Sequence, residues 1–359
     1  MKLGILTYHR SHNYGAQLQG IALRHALVKL GHDVSFIDYW PEYHWEFYAL
    51  FPPITMLRNL KGMHLGYFYR LIRNFPWRLK RSKNLKRFMA AYTAPYWEKY
   101  SSKTPYDAVI YGSDQIWRKQ PGLHDRFNPI YFGENKLQTK RHIAYAASMG
   151  SMDLDEADYQ FLKQSLSRFE RLYVREAPLC EMLRSIGLQA EVVLDPTLLL
   201  TNDEWEELLP LSERPIKEKY ILFYDILTKS FDEEQVRQFA NRQGLRFVKL
   251  VGGVSKRSKD CIDTAPPEIF LQLVKYAECV FTSSFHGLVF SILFHRPFLA
   301  SYRRNAVRAQ SLLQDLGLSH CMLAPQSAVP LDFPKIDFSD VDERMARLRQ
   351  RSLDLLSSI

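Results

Sequence analysis

Apolar positions along this chain fall into two alternating patterns, short continuous runs and longer stretches in which they recur every three or four residues. Residues 3–7 form the first run, a polar turn follows, and Leu18, Ala22, Leu23, Ala26, Leu27 and Leu30 then share one helical face. Gly31 stops that helix and residues 34–37 make the next strand. A strand, a helix and a strand in this order predict parallel pairing in a doubly wound sheet. The rhythm resumes with strands at 106–111, 142–146, 172–174 and 191–194, and a helix over 177–186 stopped by Gly187. It starts afresh with a strand at 220–224, a helix over 232–242 stopped by Gly244 and a strand at 246–251. A helix opened by Pro266 and Pro267 follows, then strands at 280–282 and 298–301. A last helix, from residue 341 onward, sets Met345, Leu348 and Leu355 on one side and Arg344, Arg347 and Arg351 on another.

The two series predict two α/β domains. A length of 359 residues exceeds what one core usually supports, and a proline- and charge-rich stretch over 200–218 separates them. The expected division is 1–205, 206–335 and a C-terminal helix, 336–359, that packs back. Residues 40–104 interrupt the first series. There Tyr43, Trp45, Phe47 and Tyr48 precede a basic segment running from Arg58 and Lys61 to Arg87, interleaved with Tyr67, Phe68, Tyr69, Phe75 and Trp77. Such a segment reads as a contact for an anionic membrane or a phosphorylated, lipid-linked substrate. A solvated helical face with core aromatics gives the same pattern.

Composition narrows the class. At 46% hydrophobic and 24% charged residues the chain is an ordinary globular one. Its net charge of +9 calls for an acidic partner, whether nucleic acid, lipid or phosphorylated metabolite. Cys180, Cys261, Cys279 and Cys321 stand far apart, which suggests neither a zinc site nor a disulfide framework but thiols in a reducing cytosol. The N-terminus has no signal-peptide pattern and no apolar stretch is long enough to span a bilayer, so a cytoplasmic protein is expected. The turn after the first strand lacks the Gly-x-Gly-x-x-Gly spacing of dinucleotide sites.

In an open parallel sheet, ligands lie beyond the carboxyl ends of the strands. Three strand ends carry polar residues there: YHRSHNYGAQLQ at 8–19, GSDQIW at 112–117 and TSSFHG at 282–287. The third opens residues 279–314, which contain no carboxylate but hold Arg296, Arg303, Arg304, Arg308, His286 and His295. An anion is expected there. Ser283 and Ser284 would line a helix start, His286 would act as acid or base or merely cap the turn, and Arg303, Arg304 and Arg308 would clamp the charge. His295, beside Arg296 and Pro297, reads as structural. Asp114 and Asp195 are the best-placed carboxylates, although a carboxylate after a strand is often a cap. Asn13, Tyr14, Gln17, Ser113 and Gln115 are expected as substrate contacts on the facing wall.

Seven segments in order resemble the polysaccharide pyruvyl transferase family: NYGAQLQ (13–19), YGSDQIW (111–117), YAASMG (145–150), VRE (174–176), VLDPTLLL (193–200), TSSFHG (282–287) and RNAVR (304–308). The resemblance covers roughly residues 1–320, with 40–104 the least similar part. It implies two Rossmann-like domains facing across a cleft, similar to GT-B glycosyltransferases. It also implies transfer of a pyruvyl group from phosphoenolpyruvate to a sugar of a cell-surface or exopolysaccharide intermediate, forming a ketal and releasing phosphate. His286 would transfer the proton and Asp114 would orient or deprotonate the acceptor hydroxyl. No cofactor, metal or nucleic acid is called for; the partners would be phosphoenolpyruvate, a free or lipid-linked oligosaccharide and, through residues 58–87, the inner face of the plasma membrane. Many members carry an arginine two residues before the histidine. Here that position is Ser284, so the anion-binding charge falls to Arg303, Arg304 or Arg308. The competing readings are a nucleotide-sugar glycosyltransferase and a non-catalytic binder of anionic glycans or membrane.

Overall fold

A computed structural model describes residues 1–48, 50, 65–150, 152–226, 229–252, 259–304 and 306–359. Arg58, Lys61 and Asn305 lie outside the described residues. The chain opens with β1 (Lys2–Leu6), α1 (Tyr14–Lys29), β2 (Asp33–Asp38), α2 (Glu42–Tyr48) and α3 (Leu65–Tyr92). It continues through β3 (Trp97–Lys99), β4 (Ala108–Tyr111), β5 (His142–Ala147), α4 (Glu156–Leu166), β6 (Arg171–Val174), α5 (Ala177–Ser185), β7 (Glu191–Val192) and α6 (Asn202–Leu208). These strands form one sheet in the order β3-β2-β1-β4-β5-β6-β7. Every pairing in it is parallel, with Ile5 of β1 set between Phe36 of β2 and Ile110 of β4.

The second sheet repeats the plan. β8 (Tyr220–Tyr224), α7 (Glu233–Arg242), β9 (Arg246–Leu250), β10 (Cys261–Ile262), α8 (Pro267–Lys275), β11 (Cys279–Thr282), α9 (Phe285–Leu293), β12 (Phe298–Ser301), α10 (Val307–Asp315) and β13 (Met322–Leu323) follow in turn. The order is β10-β9-β8-β11-β12-β13, again parallel throughout. Each sheet therefore reverses direction beside its first strand, between β1 and β4 and between β8 and β11, where a crevice opens at the carboxyl ends. The chain has two parallel-sheet α/β domains of Rossmann-like order, as the alternating pattern predicts.

Two elements join the sheets. α1 is buried on all sides through its first ten residues, which a one-sided surface helix would not be. Tyr14 stacks on Phe270 of α8 at 5.0 Å and donates its hydroxyl to the Ala265 carbonyl, so the first helix of one domain is part of the core of the other. α11 (Phe338–Ser357) returns to the first sheet. Its Ser352 hydroxyl accepts from Leu194 N–H at 3.0 Å and Arg349 donates to the Leu198 carbonyl at 2.7 Å. Near its start Asp342 meets His295 of the second domain at 2.9 Å. One apolar cluster consequently contains Leu3, Leu23, Leu198, Trp205, Phe270 and Phe290 together. Among the described residues no helix is long and apolar enough to cross a membrane.

Candidate active site between the two sheets

The turn from β11 into α9 is held by its own hydroxyls. Thr282 Oγ1 donates to the Tyr224 carbonyl and accepts from Ser284 N–H. The Ser283 hydroxyl donates to Asp225 Oδ1 at 2.6 Å and accepts from Ile226 N–H at 2.8 Å. Ser284 Oγ caps α9 by accepting from Gly287 N–H at 3.2 Å. Both serines thus shape the helix start with bonds internal to the domain, and neither hydroxyl belongs to the charged cluster described next.

His286, the second residue of α9, reaches across to the other domain. A Cβ built on Gly15 would lie 1.9 Å from His286 Nδ1, so the imidazole occupies the volume that any larger residue at position 15 would fill. Its Nε2 faces Asp195 Oδ2 at 3.7 Å. Asp195 follows β7 and does two things at once. Oδ1 caps the next turn, accepting from Thr197 N–H at 3.0 Å and from the Thr197 hydroxyl at 2.7 Å, while Oδ2 pairs with the Arg175 guanidinium.

Arg175 and Glu176 leave the carboxyl end of β6 and complete the cluster. Arg175 Nη2 lies 4.0 Å from Asp114 Oδ1, and Glu176 Oε1 accepts from the Ser148 hydroxyl at 2.5 Å. Across the interface, Arg308 Nε of α10 stands 3.7 Å from the same Glu176 oxygen. The guanidiniums of Arg175 and Arg308 both lie by the Phe285 ring, at 5.3 and 5.2 Å from its centre.

Burial and mutual charge decide the protonation states. Burial pulls the His286 imidazole down to about 4, against the opposing pull of Asp195, so it is neutral at pH 7. Burial would raise the Asp195 carboxyl, but Arg175, His286 and the Thr197 hydrogen bonds outweigh it and bring it to about 2. Burial likewise opposes the Arg175 cation, and Asp195, Glu176 and Asp114 overcome it. Arg308 is pulled downward by burial first and by the Arg175 charge second. Several buried polar atoms here have no hydrogen-bond partner: Arg175 Nε and Nη2, Arg308 Nε, His286 Nε2, Glu176 Oε2 and the Tyr302 hydroxyl. Most buried polar atoms in folded proteins are satisfied, so such a concentration marks a place where a polar ligand completes the bonding.

The structure brings together His286, Asp114, Asp195 and Arg308 among the expected residues. Arg303 and Arg304 are exposed on the loop before α10. Asn13 caps α1 through its side chain, accepting from Ala16 N–H. Gln17 donates to the Ser11 carbonyl and its Oε1 is buried without a partner. Tyr14 is the interdomain anchor. Ser113 Oγ accepts from Asp114 N–H at 2.7 Å, and Gln115 N–H donates to Asp114 Oδ1, so these two neighbours hold Asp114 in its left-handed conformation, φ 80°. His295 is exposed and paired with Asp342. The expectation of a carboxylate-free anion site is corrected. Residues 279–314 lack carboxylates in sequence, but the first domain sets Asp114, Glu176 and Asp195 against them. Arg175 and Glu176 were not among the expected site residues, although both directly follow a buried strand within the VRE segment. Among the described residues no group of three or more His, Cys, Asp or Glu is placed to hold a metal ion.

The sequence profile of the polysaccharide pyruvyl transferase family matches residues 13–305. No curated protein sequence matches. Among solved structures, the UDP-GlcNAc 2-epimerase of Methanocaldococcus jannaschii aligns at 12% identity over 99% of this chain and 93% of its own, with a TM-score of 0.47. The epimerase of Neisseria meningitidis aligns at 9% identity over 100% and 94%, TM-score 0.44. The glycosyltransferase SnogD of Streptomyces nogalater aligns at 12% identity over 100% and 99%, TM-score 0.41.

Proposed function

Since the chain belongs to the polysaccharide pyruvyl transferase family, and is therefore a transferase, we propose that it moves the pyruvyl group of phosphoenolpyruvate onto a sugar of a cell-surface or exopolysaccharide intermediate. The reaction forms a ketal across two hydroxyls and releases phosphate. The supporting observation is the set of unpartnered nitrogens on Arg175, Arg308 and His286, gathered where both domains meet. The donor carries a carboxylate and a phosphate, and guanidinium N–H groups suit both.

The charge balance gives the chemistry a direction. Two guanidiniums face three carboxylates, so these side chains carry no excess positive charge. An arriving trianion favours protonation of His286, and the imidazolium so formed delivers its proton to the methylene carbon of the donor. The resulting oxocarbenium-like centre, its charge favoured by the carboxylates of the cluster, accepts a bond from the first acceptor hydroxyl. Asp114 takes that hydroxyl's proton; its side chain is 20% exposed whereas that of Asp195 is fully buried, so Asp114 is the carboxylate an acceptor can reach. The second hydroxyl then bonds to the same carbon as the carbon–oxygen bond to phosphate breaks. One hydroxyl proton replaces the proton delivered to carbon and the other leaves on phosphate.

Purified protein incubated with phosphoenolpyruvate and a panel of oligosaccharides is expected to release phosphate with an acceptor that gains the mass of a pyruvyl ketal. A protein whose melting temperature rises with nucleotides or nucleotide sugars and not with phosphoenolpyruvate would overturn the assignment.

A further inference from the structure

α3 carries no aspartate or glutamate along its 28 residues. Its two halves are treated differently by the fold. In the C-terminal half Leu85, Phe88 and Met89 are buried. On the same inner side Arg81 donates to the Tyr14 hydroxyl and to the carbonyls of His12 and Asp263, and Asn84 donates to the carbonyl of Thr264. In the N-terminal half, by contrast, no residue from 72 to 80 is buried. Tyr69 is 64% and Ile72 73% exposed, among the most exposed large apolar side chains of the described residues. Arg73, Lys80, Lys83 and Arg87 are also exposed, and their spacing of three, four and seven residues places them along the face that begins with Tyr69 and Ile72.

We propose that this outer face of α3 is where the protein lies on an anionic lipid bilayer, with Tyr69 and Ile72 entering the headgroup–acyl boundary and Arg73, Lys80, Lys83 and Arg87 against lipid phosphates. The helix itself supplies no carboxylate to neutralise those cations, and Glu268 of α8 lies close enough to Arg87 to feel its charge. The exposed Ile72 favours a bilayer over a nucleic acid, because a polyanion satisfies the cations but offers an aliphatic side chain nothing apolar. The face from residue 69 to 87 is about 27 Å long at the rise of an α-helix, enough to span several headgroups. The inner side of the same helix touches His12 and Tyr14, next to the Gly15 that packs on His286. A chain lying on a membrane by this face keeps its interdomain site beside the surface that would present a lipid-linked acceptor. That last consequence rests on the transferase reading above; the docking surface itself does not.

The test is co-sedimentation of the full chain with vesicles of phosphatidylcholine alone or mixed with phosphatidylglycerol, at low and high salt. Binding to the mixed vesicles, weakened by salt and absent with phosphatidylcholine, is expected. The K80E/K83E/R87E variant should lose at least about tenfold in partitioning, and Y69S/I72S should lose several-fold with no change in charge. Unaltered binding by the triple variant overturns the proposal. So does unaltered vesicle binding by Y69S/I72S together with equally tight binding of duplex DNA, which would mark a general polyanion site. Unchanged melting temperatures exclude misfolding as the cause of any loss. Phosphate release on a soluble acceptor should be retained by both variants, so failure of docking and failure of the proposed transfer have separate readouts.

Discussion

Gly15 and His286 lie 271 positions apart and share one volume. Because Gly15 is internal to α1 and its neighbours are buried, the imidazole cannot be pushed aside without moving a helix. Gly15→Ala is expected to cost about 1–3 kcal/mol of stability through overpacking, and to reduce kcat/KM about a hundredfold through displacement of the imidazole. Urea denaturation and steady-state phosphate release measure the two; activity at the wild-type level would remove His286 from the reaction. His286 also sets an expected proton linkage. Burial brings its pKa to about 4, so it is neutral at pH 7, and a bound trianion raises that value, so donor binding takes up a proton. Calorimetric titration of phosphoenolpyruvate in buffers of differing ionisation enthalpy should show uptake, and affinity should strengthen as pH falls below the raised value. His286→Ala should abolish the uptake.

Among the elements, α3 adds to the interdomain contact made by α1 and α11 through Arg81. Its buried guanidinium holds two backbone carbonyls and the Tyr14 hydroxyl, one set from each side of the interface. Arg81→Met retains much of the apolar stem but removes every donor, leaving buried acceptors unmet. A loss of about 2 kcal/mol is expected, read as an earlier urea midpoint; no shift would mean water replaces the guanidinium without cost. At this scale much was legible in advance. The strands at 220–224 and 298–301 coincide with β8 and β12 because buried parallel strands read as continuous apolar runs. β3, β10 and β13 were not anticipated. Each has only two or three residues at the outer part of its sheet, too few to establish a period. The apolar spacing shows α1 only from Leu18, because the first turn of the helix lacks an apolar stripe of its own: Tyr14 and Gly15 pack on the second domain, and Gln17 donates to the Ser11 carbonyl.

For the whole molecule, buried and partly buried neutral histidines shape the response to acid. His12, His44 and His286 each titrate near 4, burial being the main cause in all three. The unfolded chain protonates its histidines near 6.5 while the folded chain does not, so the unfolded state binds more protons between the two values. Stability is therefore full above pH 6.5 and falls as pH drops toward 4, by about 1.4 kcal/mol per pH unit for each of the three. Thermal melts across that window should show the decline. Saturating phosphoenolpyruvate should add about 2.7 kcal/mol at a hundredfold excess over Kd, and the gain should grow at lower pH because the ligand favours the protonated imidazole.

Local periodicity and turn residues determined, without reference to anything distant, the two α/β series, the polar strand ends and the helix starts other than that of α1. These depend on residues a few positions apart, and the strand-end rule then placed Asp114 and His286 at the crevices. The charge of the site was decided only by tertiary structure. Residues 279–314 are free of carboxylates, which suggested an anion seat of arginines and serines. Folding sets Asp114, Glu176 and Asp195 within 4 Å of Arg175, Arg308 and His286, leaves Arg303 and Arg304 exposed and engages both serines in the turn itself. Electrostatic interaction follows distance through space, and no spacing along the chain reports which charges a second domain will bring within reach.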